Sequence, residues 1–428
     1  MNTSAYSSAP ATRPWRLAVI GAGPAGLALA LLAARRLPSA EISLFDARSV
    51  DKDVSGDPRT LALALGSVQL LRRLSAWPEG AAQPIREVLV SQAPPTLALD
   101  WLPGAVQLRA SDEGVEMLGA VLSYGTLVAC MQQAWRAAER AEPQRLHSRF
   151  GQPVVDVQNR GDAAGLGGVQ VDAGIAEHFD LAVVAEGGVF AGRAQAEPAT
   201  SSRLPRGLGL KRRISHDYAQ TAWVGTLTLD GGAPGLAVER FTRDGPLALL
   251  PLAAGADGSA RAAMVWCVNS QDDPVAPLDD AQRLAVLATL LPAAAGRPIA
   301  ISPLKQFALS LLAEPTLVDG AIVRIGNAAQ TLHPVAGQGL NLGLRDAAEL
   351  VQALRGASPI ELPALLRRLE WARAPDRWAM IAATDFLARS FTWRWPGLPA
   401  ARGLVLAALQ ALPPLKSALA RQMMFGRR

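Results

Sequence analysis

Residues 19–30 read VIGAGPAGLALA, and this stretch decides the fold. It places Gly21, Gly23 and Gly26 in a GxGxxG pattern between an apolar run, Trp15 to Ile20, and an Ala/Leu-rich segment. In such a turn the first glycine permits a tight bend, the second lets the backbone approach a pyrophosphate, and the third allows the helix to pack closely on the strand. The N-terminus of the helix then faces the anion. The stretch therefore predicts a dinucleotide-binding βαβ unit.

An acidic residue ends the second strand of this unit, Ile42 to Phe45. Asp46 lies 20 residues after Gly26, where a carboxylate can accept hydrogen bonds from an adenosine ribose. The alternative is a chance Gly-rich turn, which is common for an isolated motif. Because a strand, a helix, a second strand and an acidic residue all stand in register, we favour dinucleotide binding. The fingerprint does not distinguish FAD from NAD, since both contain ADP.

The bulk composition is that of a soluble globular protein. Of the 428 residues, 50% are hydrophobic and 18% are charged, which excludes a disordered chain and predicts about two domains. The net charge of +5 is spread over the chain without a dense Lys/Arg block, so nucleic-acid binding is not indicated. Cys130 and Cys267 lack CxxC or His partner spacing, so we expect neither a disulfide framework nor a metal site.

No export or membrane-spanning segment is predicted. The first fourteen residues are small and polar and do not follow the pattern of a signal peptide. The apolar stretch from Leu17 to Ala34 is long enough to imitate a membrane span, but the glycines of the dinucleotide motif interrupt it. We therefore expect a cytoplasmic protein, either free or peripheral at the inner face of the membrane.

The order of patterns along the chain predicts a discontinuous nucleotide domain. Helical periodicity runs from Thr60 to Leu74 and from Gly125 to Ala141, whereas residues 208–268 alternate as an antiparallel sheet does. Because α/β segments flank this sheet on both sides, we expect a second domain inserted into the first. The expected nucleotide domain comprises residues 14–82, 119–204 and 304–358, the sheet domain 83–118 and 205–303, and a C-terminal helical region 359–428.

A second Gly-rich loop precedes a helix near the C-terminal side. Residues 323–354 read VRIGNAAQTLHPVAGQGLNLGLRDAAELVQAL. A strand leads to Gly326, a loop follows, and a helix runs from about Leu340 to Leu354. The loop contains Pro334, Gly337, Gln338 and Gly339. Such a loop can present backbone N–H groups to another part of the cofactor, either its ribityl-pyrophosphate or its ring edge.

On these motifs the chain resembles the ubiquinone-biosynthesis branch of the class A flavoprotein monooxygenases. The family pattern GDAAH, Pro, GQG, NLG and Asp is similar to Gly326 through Asp346. The resemblance implies an α/β fold with a Rossmann-like FAD-binding domain of the para-hydroxybenzoate hydroxylase type, an inserted antiparallel-sheet substrate domain and a helical C-terminus. Asn327 and Gln330 replace the family's usual Asp and His. Asn327 can hydrogen-bond to the ribityl chain, but it carries no charge.

The resemblance implies further cofactor contacts. Asp57, Pro58 and Arg59 look like the family's DxR segment, whose arginine approaches the flavin, although a solvated charge is the alternative. DLAVVAEGG, residues 180–188, resembles the family's DLLVGADG and places Glu186 either against the cofactor or as a brace of the strand. The complete set of expected FAD-binding residues is Gly21, Gly23, Gly26, Asp46, Arg59, Glu186, Asn327, Gly339 and Asn341.

Three segments of the middle region are similar to the sheet that covers flavin and substrate in this family. They are SHDYAQTAWVG, ERFTRDGPLALLPL and MVWCV, at residues 215–225, 239–252 and 264–268. Phe241, Pro246 and Leu249 are therefore candidates for the substrate pocket. The alternative for such a stripe on a strand is plain core.

The resemblance also implies a reaction. NADH or NADPH reduces FAD, dioxygen adds to give a flavin hydroperoxide, and the ring of a polyprenylphenol in ubiquinone biosynthesis attacks its distal oxygen. We assign the loop residues Pro334, Gly337 and Gln338 to the flavin face, where oriented N–H groups stabilise developing charge. His333 is a candidate base, with a structural hydrogen-bonding role as the alternative. A second GxGxxG is absent from the sequence, so no separate nicotinamide domain is expected.

The C-terminal stretch leaves alternatives open. Residues 392–428 combine Trp393 and Trp395 with Leu-rich turns and the basic residues Arg402, Lys416 and Arg421. They either lie on a membrane or a quinone-synthesis partner, or pack as helices on the flavin domain. Two other functions also stay open: a noncatalytic flavin-binding subunit of a quinone-synthesis assembly, and a hydroxylase of another phenolic substrate.

Overall fold

The computed structural model describes residues 13–93, 105–160, 168–185, 213–334, 337–390 and 398–426. Glu186 and the tryptophan pair Trp393 and Trp395 lie outside these residues.

A six-stranded sheet forms the centre of the nucleotide-binding part. Its inner strands are almost fully buried and read as continuous apolar runs, as expected for a parallel sheet covered on both faces. All neighbouring strands pair in parallel except the edge pair β19 and β20. The order across the sheet is β19 (Val318–Asp319), β20 (Ile322–Arg324), β12 (Leu181–Val184), β1 (Arg16–Ile20), β2 (Glu41–Asp46) and β8 (Leu146–Phe150).

Helices pack on this sheet through apolar faces. Helix α1 (Pro24–Arg36) is buried at every position from Ala25 to Ala34, which explains why this stretch imitates a membrane span. It packs against helices α3 (Tyr124–Ala141) and α5 (Gly339–Leu354). The βαβ unit and the two later helices are therefore confirmed close to their predicted bounds. Helix α2 (Leu65–Arg73) and helix α4 (Asp280–Leu290) are the other α-helices that the described residues form before the C-terminal region.

The region from Thr60 to Leu74 differs from the prediction of one continuous helix. Its first five residues form a strand, and α2 begins only at Leu65. The reason is tertiary: the alternating sequence TLALA pairs antiparallel along a neighbouring strand, which decides between two patterns that local sequence supports equally. The resulting three-stranded sheet is β3 (Thr60–Ala64), β7 (Gly119–Ser123) and β4 (Gln83–Ile85). A second three-stranded sheet is β11 (Ala176–Phe179), β10 (Gly168–Asp172) and β9 (Asp156–Arg160).

A nine-stranded, largely antiparallel sheet covers the other side of the site. Helix α4 packs on one of its faces and closes an apolar core around Trp223, Met264 and Trp266. Its order is β21 (Gln330–Thr331), β18 (Lys305–Ala313), β13 (Ile214–Asp230), β16 (Ala260–Asn269), β15 (Pro246–Leu252), β14 (Leu236–Phe241), β5 (Glu87–Gln92) and β6 (Ala105–Arg109), with β17 (Arg297–Ile301) also paired to β13.

Strand β18 lies on the sheet side of the predicted boundary at residue 304. We expected residues after 304 to return to the nucleotide domain, yet β18 pairs with β13 from Lys305 against Val224 to Ala313 against Ile214. The sheet, expected to end at residue 303, therefore continues for ten more residues to Ala313. The sequence of β18 is polar at the start and apolar later, because only its second half is buried. The alternation typical of a strand is therefore weak in this segment.

Three helices form the C-terminal region: α6 (Leu362–Ser390), α7 (Leu398–Ala411) and α8 (Pro413–Phe425). Helix α7 packs on β6, and α8 packs on α2 and β3. Among the described residues, no single helix is long and apolar enough to cross a membrane. The segments Ala400–Ala411 and Pro413–Phe425 pass that test only together, and they are bent by 95° at their junction.

Candidate functional site

The first glycine turn has the geometry of a pyrophosphate cradle. Gly21 adopts a φ of 103°, and its N–H donates to the carbonyl oxygen of Phe45 over 2.8 Å. A methyl group on Gly26 would overlap the Gly21 carbonyl, so the helix approaches the strand at the closest possible distance. Above Gly23 there is open space, since the nearest atom to an added Cβ is the Tyr124 hydroxyl at 3.8 Å. Helix α1 begins at Pro24 without an acidic residue or a side-chain cap, which leaves its positive end for an anion.

Asp46 lies beside this turn and is held by two sets of donors. Its Oδ2 accepts hydrogen bonds from the Ala22 N–H at 2.7 Å and from Arg48 Nη2 at 2.8 Å, and its Oδ1 accepts from Arg48 N and Nε. Burial raises the pKa of Asp46, but the hydrogen bonds and charge of Arg48 outweigh burial, and the pKa lies below its usual value. The carboxylate is therefore ionised. A ribose would take the positions of the Arg48 donors, which belong to a half-exposed side chain.

Tyr124, the first residue of α3, borders the glycine turn and was not identified in the sequence analysis. The Arg59 guanidinium stacks over its ring at 4.1 Å, and its hydroxyl faces Gly23. Arg59 also forms an ion pair with Asp57 at 2.7 Å, and this hydrogen bond raises the pKa of Arg59. A hydroxyl and a guanidinium thus border the open space above the turn. The only signal in the sequence was the predicted start of a helix, because no motif marks this tyrosine.

The second Gly-rich segment lies directly against the first. The single helical turn Gly326–Ala328 follows β20, and Gly326 adopts a φ of 57°. An added Cβ on Gly343 of α5 would lie 2.8 Å from the Gly326 Cα, and one on Gly326 would lie 3.2 Å from the Ala25 Cβ. These contacts bring the start of α1 and the start of α5 together. Asn327 is exposed on the same turn, in a position to reach the cofactor.

Asn341 holds the loop of Gly337 in place. Its Nδ2 donates to the carbonyls of Ala62 and Gly337, both at 3.1 Å, and its Oδ1 accepts from the Ala64 N–H and the Ser67 hydroxyl. The side chain is buried and its hydrogen bonds are made within the protein, so it positions the loop rather than reaching a ligand. Gly339, in contrast, starts α5 with open space around it.

Gln338 points into the protein. Its Oε1 accepts from Arg345 Nη2 at 3.3 Å, and Arg345 in turn pairs with Asp376 of α6 at 3.1 Å. Its side chain is therefore not on the flavin face where we placed it, because this buried ion pair draws it toward α6. Only its backbone faces the loop.

Gln330, which replaces the family's usual histidine, belongs to the same polar network. It accepts from Arg377 Nε at 2.7 Å and donates to Asp346 at 3.4 Å.

His333 links the loop to the sheet. Its Nε2 lies 2.9 Å from Gln220 Oε1, and its ring meets the Tyr218 ring edge to face at 5.1 Å. Burial lowers the pKa of His333 to about 4. The imidazole is therefore neutral at neutral pH, and its contacts match the structural role better than that of a base.

Two of the three predicted pocket residues share a face of the sheet, and the third does not. Phe241 contacts Val90 and Leu387, and Pro246 is its partner across the β14–β15 pair. Leu249 stands three residues after Pro246, so it points to the opposite face. There it packs in the core under α4 and lines a cavity of about 230 Å³. Leu249 therefore does not share the face of Phe241 and Pro246, because the side chains of a strand alternate with a period of two.

Within the described part of the chain, no three His, Cys, Asp or Glu side chains converge as metal ligands do.

Sequence comparison finds relatives that are named as hydroxylases of ubiquinone biosynthesis. No protein-family model matches the chain. Ubiquinone hydroxylase UbiL of Rhodospirillum rubrum is 34% identical over 229 residues, which cover 52% of this chain and 51% of that protein. The 3-demethoxyubiquinol 3-hydroxylase of Escherichia coli is 27% identical over 420 residues, which cover 94% of this chain and 97% of that protein. The match thus spans about half the length of the first relative and nearly all of the second.

Solved structures agree on the fold. Klebsiella pneumoniae HpxO complexed with FAD and uric acid superposes with a TM-score of 0.64 at 18% identity, covering 95% of this chain and 97% of that one. The predicted fold class is confirmed. The chain is thus similar in sequence to ubiquinone-biosynthesis hydroxylases, and it shares its fold with Klebsiella pneumoniae HpxO.

Proposed function

We propose that this protein is an FAD-dependent monooxygenase that uses NAD(P)H and dioxygen to hydroxylate the aromatic ring of a polyprenylphenol in ubiquinone biosynthesis. The observation that carries the proposal is the similarity to 3-demethoxyubiquinol 3-hydroxylase over 94% of the chain. Within the branch, GNAAQTLHPVAGQG at residues 326–339 resembles the motif of 2-polyprenyl-6-methoxyphenol hydroxylase. A methoxylated polyprenylphenol is therefore the substrate we expect.

The residues of the site fit FAD. The turn of Gly21 and Gly23 and the start of α1 would hold the pyrophosphate, and the ionised Asp46 would accept from the ribose. Arg59 and Tyr124 border the same space, so the arginine and the tyrosine hydroxyl are donors to the cofactor's oxygens. The exposed Asn327 would hydrogen-bond to the ribityl chain.

The bound flavin supplies the redox chemistry, taking a hydride from the nicotinamide and activating dioxygen. The protein contributes geometry and polarity to that chemistry. The backbone around Gly337 and Gly339 opens α5, so its N–H groups can stabilise negative charge at the ring edge. The apolar sheet face around Phe241 excludes water from the ring. Because His333 is neutral and engaged with Gln220, we assign it to positioning of the loop.

We also propose peripheral contact with the inner face of the membrane, through the outward side of α7 and α8. Exposed apolar side chains lie on these two helices and at their junction, and other parts of the helices contact β6 and α2. The exposed residues are Leu404, Val405, Leu412, Leu415 and Leu419. Lys416 and Arg421 do not contribute there, because they pair with Asp112 and Glu113 at 3.4 and 3.1 Å. Such a surface would deliver a prenylated substrate from the lipid phase.

Two alternatives have specific support. A noncatalytic flavin-binding subunit of a quinone-synthesis assembly is favoured by Asn327, which lacks the charge of the family's usual aspartate. A hydroxylase of another phenolic compound is favoured by the names of further structural neighbours, which include a p-nitrophenol 4-monooxygenase and a salicylate hydroxylase.

The proposal is tested in cells that lack this protein. Mass spectrometry of their quinone lipids should show a methoxylated polyprenylphenol that disappears when a plasmid restores the protein, but not when it restores Gly23→Trp. Unchanged ubiquinone without an accumulating precursor would contradict the assigned substrate.

Purified protein provides the second test. It should be yellow, and NADH should bleach it rapidly only when a phenolic lipid is present. A colourless protein that binds no added FAD would overturn every flavin function.

A further inference from the structure

One carboxylate stands on the inner face of the nine-stranded sheet. Along β14 the side chains alternate: Leu236 and Val238 pack under α4, and Arg240 donates to the carbonyl of Leu290 at the end of that helix. Ala237, Glu239 and Phe241 therefore point to the other face, which is turned toward the nucleotide domain. Glu239 is half-buried at this position.

On one side, contacts connect the sheet face of Glu239 with the loop at Gly337. Ala237, its neighbour on the same face, packs in one cluster with Ala62. Ala62 lies 3.3 Å from the place where a Cβ on Gly337 would stand. The inner face of β14 thus borders the loop at Gly337.

Contacts on the other side lead to the same loop. Cys267 stands two residues after Val265, which lies in the same row across the strands as Glu239. Burial raises the pKa of the Cys267 thiol, and the negative charge of Glu239 raises it further. Cys267 packs in a cluster with Tyr218, and the Tyr218 ring contacts His333. Glu239 therefore lies between two contact paths that end at His333 and at Gly337, the two ends of the loop assigned to the flavin face.

The neighbours of Glu239 on the two adjacent strands are small or apolar side chains. Its partners across the strands are Ala248 and Val90, and Ala248 is followed across the sheet by Val265. In such surroundings a carboxylate interacts with other groups more strongly than in water. It accepts a hydrogen bond from a hydroxyl group and repels a second carboxylate.

We infer that Glu239 selects the substrate, accepting a hydrogen bond from a hydroxyl group on the aromatic ring and rejecting rings that carry a carboxylate in its place. This inference rests on the proposed function, because it assumes that a phenol binds between the sheet and the loop. Glu239 is thus a specificity-determining residue that contacts the substrate.

The experiment compares matched rings on the FAD-loaded protein. The probes are 2-methoxy-6-prenylphenol, its O-methyl ether and the analogue in which a carboxylate replaces the hydroxyl. Binding is measured from the change in flavin absorbance. We expect the wild-type protein to bind the phenol at least about tenfold more tightly than either analogue, since hydrogen bonds to charged groups are worth one to two orders of magnitude. In Glu239→Gln the preference over the carboxylate should shrink to about threefold or less.

The matched control is Glu87→Gln. Glu87 stands on β5 in the same sheet, but it is the partner of Leu236 and so lies on the opposite face, where it pairs with Arg109. Both variants remove one negative charge, and both should retain FAD. Glu87→Gln should keep the wild-type preference.

The outcomes distinguish a failure of the role of Glu239 from a failure of the proposed function. An unchanged preference in FAD-loaded Glu239→Gln, or the same loss in Glu87→Gln, overturns the role of Glu239 and leaves the proposed function standing. A wild-type holoprotein that binds none of the three rings overturns the proposed function together with this inference.

Discussion

Gly26 lies directly against the carbonyl oxygen of Gly21, so that no side chain fits between the start of α1 and the glycine turn. Gly26→Ala should therefore push the helix away from β1 and distort the turn. Overpacking of this kind costs about 1–3 kcal/mol of unfolding free energy. Thermal unfolding with and without FAD measures both effects, and we expect a lower Tm together with weaker FAD binding. A Tm within error of the wild type would show that the turn relaxes freely.

Gly23 offers the contrasting substitution. The space next to it is open in the structure, with the nearest atom 3.8 Å from an added Cβ. Gly23→Trp should fold but fill the space of the pyrophosphate, so that FAD is lost. The flavin absorbance of the purified variant, beside its circular dichroism, is the measurement. Normal flavin content in a folded Gly23→Trp would refute the placement of the cofactor.

Asp346 and Arg373 form an ion pair of 2.8 Å, and both residues are buried. Asp346→Asn should cost about 3–5 kcal/mol of unfolding free energy, because it leaves a buried guanidinium short of negative charge. The control is Glu79→Gln, which breaks the exposed pair with Arg72 and should cost less than about 1 kcal/mol. Urea unfolding of both variants compares them. Equal losses would mean that Asp376, the second partner of Arg373, compensates fully.

His333 should make the protein less stable in acid. Its folded pKa is about 4, whereas a histidine in the unfolded chain has a pKa of about 6.5. Above pH 6.5 both states are neutral there and the residue contributes nothing. Between pH 6.5 and about pH 4 the unfolded state binds a proton on this imidazole and the folded state does not, so the free energy of unfolding falls as the pH falls. Between pH 7.5 and pH 5 this should remove about 2 kcal/mol of unfolding free energy.

The variant His333→Asn isolates this contribution. Other groups titrate in the same range, so the difference between wild type and variant is the quantity to measure, by urea unfolding at both pH values. The variant should lose about 2 kcal/mol less than the wild type over this interval. Parallel losses in the two proteins would show that His333 stays solvated.

Phe241 and Leu249 are equally buried but should respond differently, because they occupy opposite faces of the sheet. Phe241→Leu should weaken phenol binding about threefold to tenfold through loss of aromatic contact with the ring. Leu249→Ala should cost about 2–5 kcal/mol of unfolding free energy and leave phenol binding within about twofold. Titration of the FAD-loaded variants and urea unfolding measure both. Weaker phenol binding in Leu249→Ala alone would place the substrate on the α4 side.

Much of the nucleotide-binding part can be predicted from local sequence. The turn needs a positive φ at Gly21 and a close approach at Gly26 that only glycine provides, so spacing alone predicts it. Continuous apolar runs likewise identify the buried strands beside it. The strand from Thr60 to Ala64 is different, because its residues suit a helix or a strand equally and pairing with β7 decided between them.

The roles of single side chains depended on contacts far along the chain. The side chain of Asn341 accepts hydrogen bonds from residues more than 270 positions away. The side chain of Gln338 is held in the interior by Arg345, which pairs with Asp376. Motif spacing carries no information on such contacts, since they arise only when α5 packs against β3, α2 and α6. The face on which Leu249 lies, by contrast, follows from its odd separation from Pro246 once the register of β15 is known. Motifs therefore determined the fold and the cofactor turn, while tertiary packing decided which side chains face the ligand, because orientation depends on partners that the local sequence does not contain.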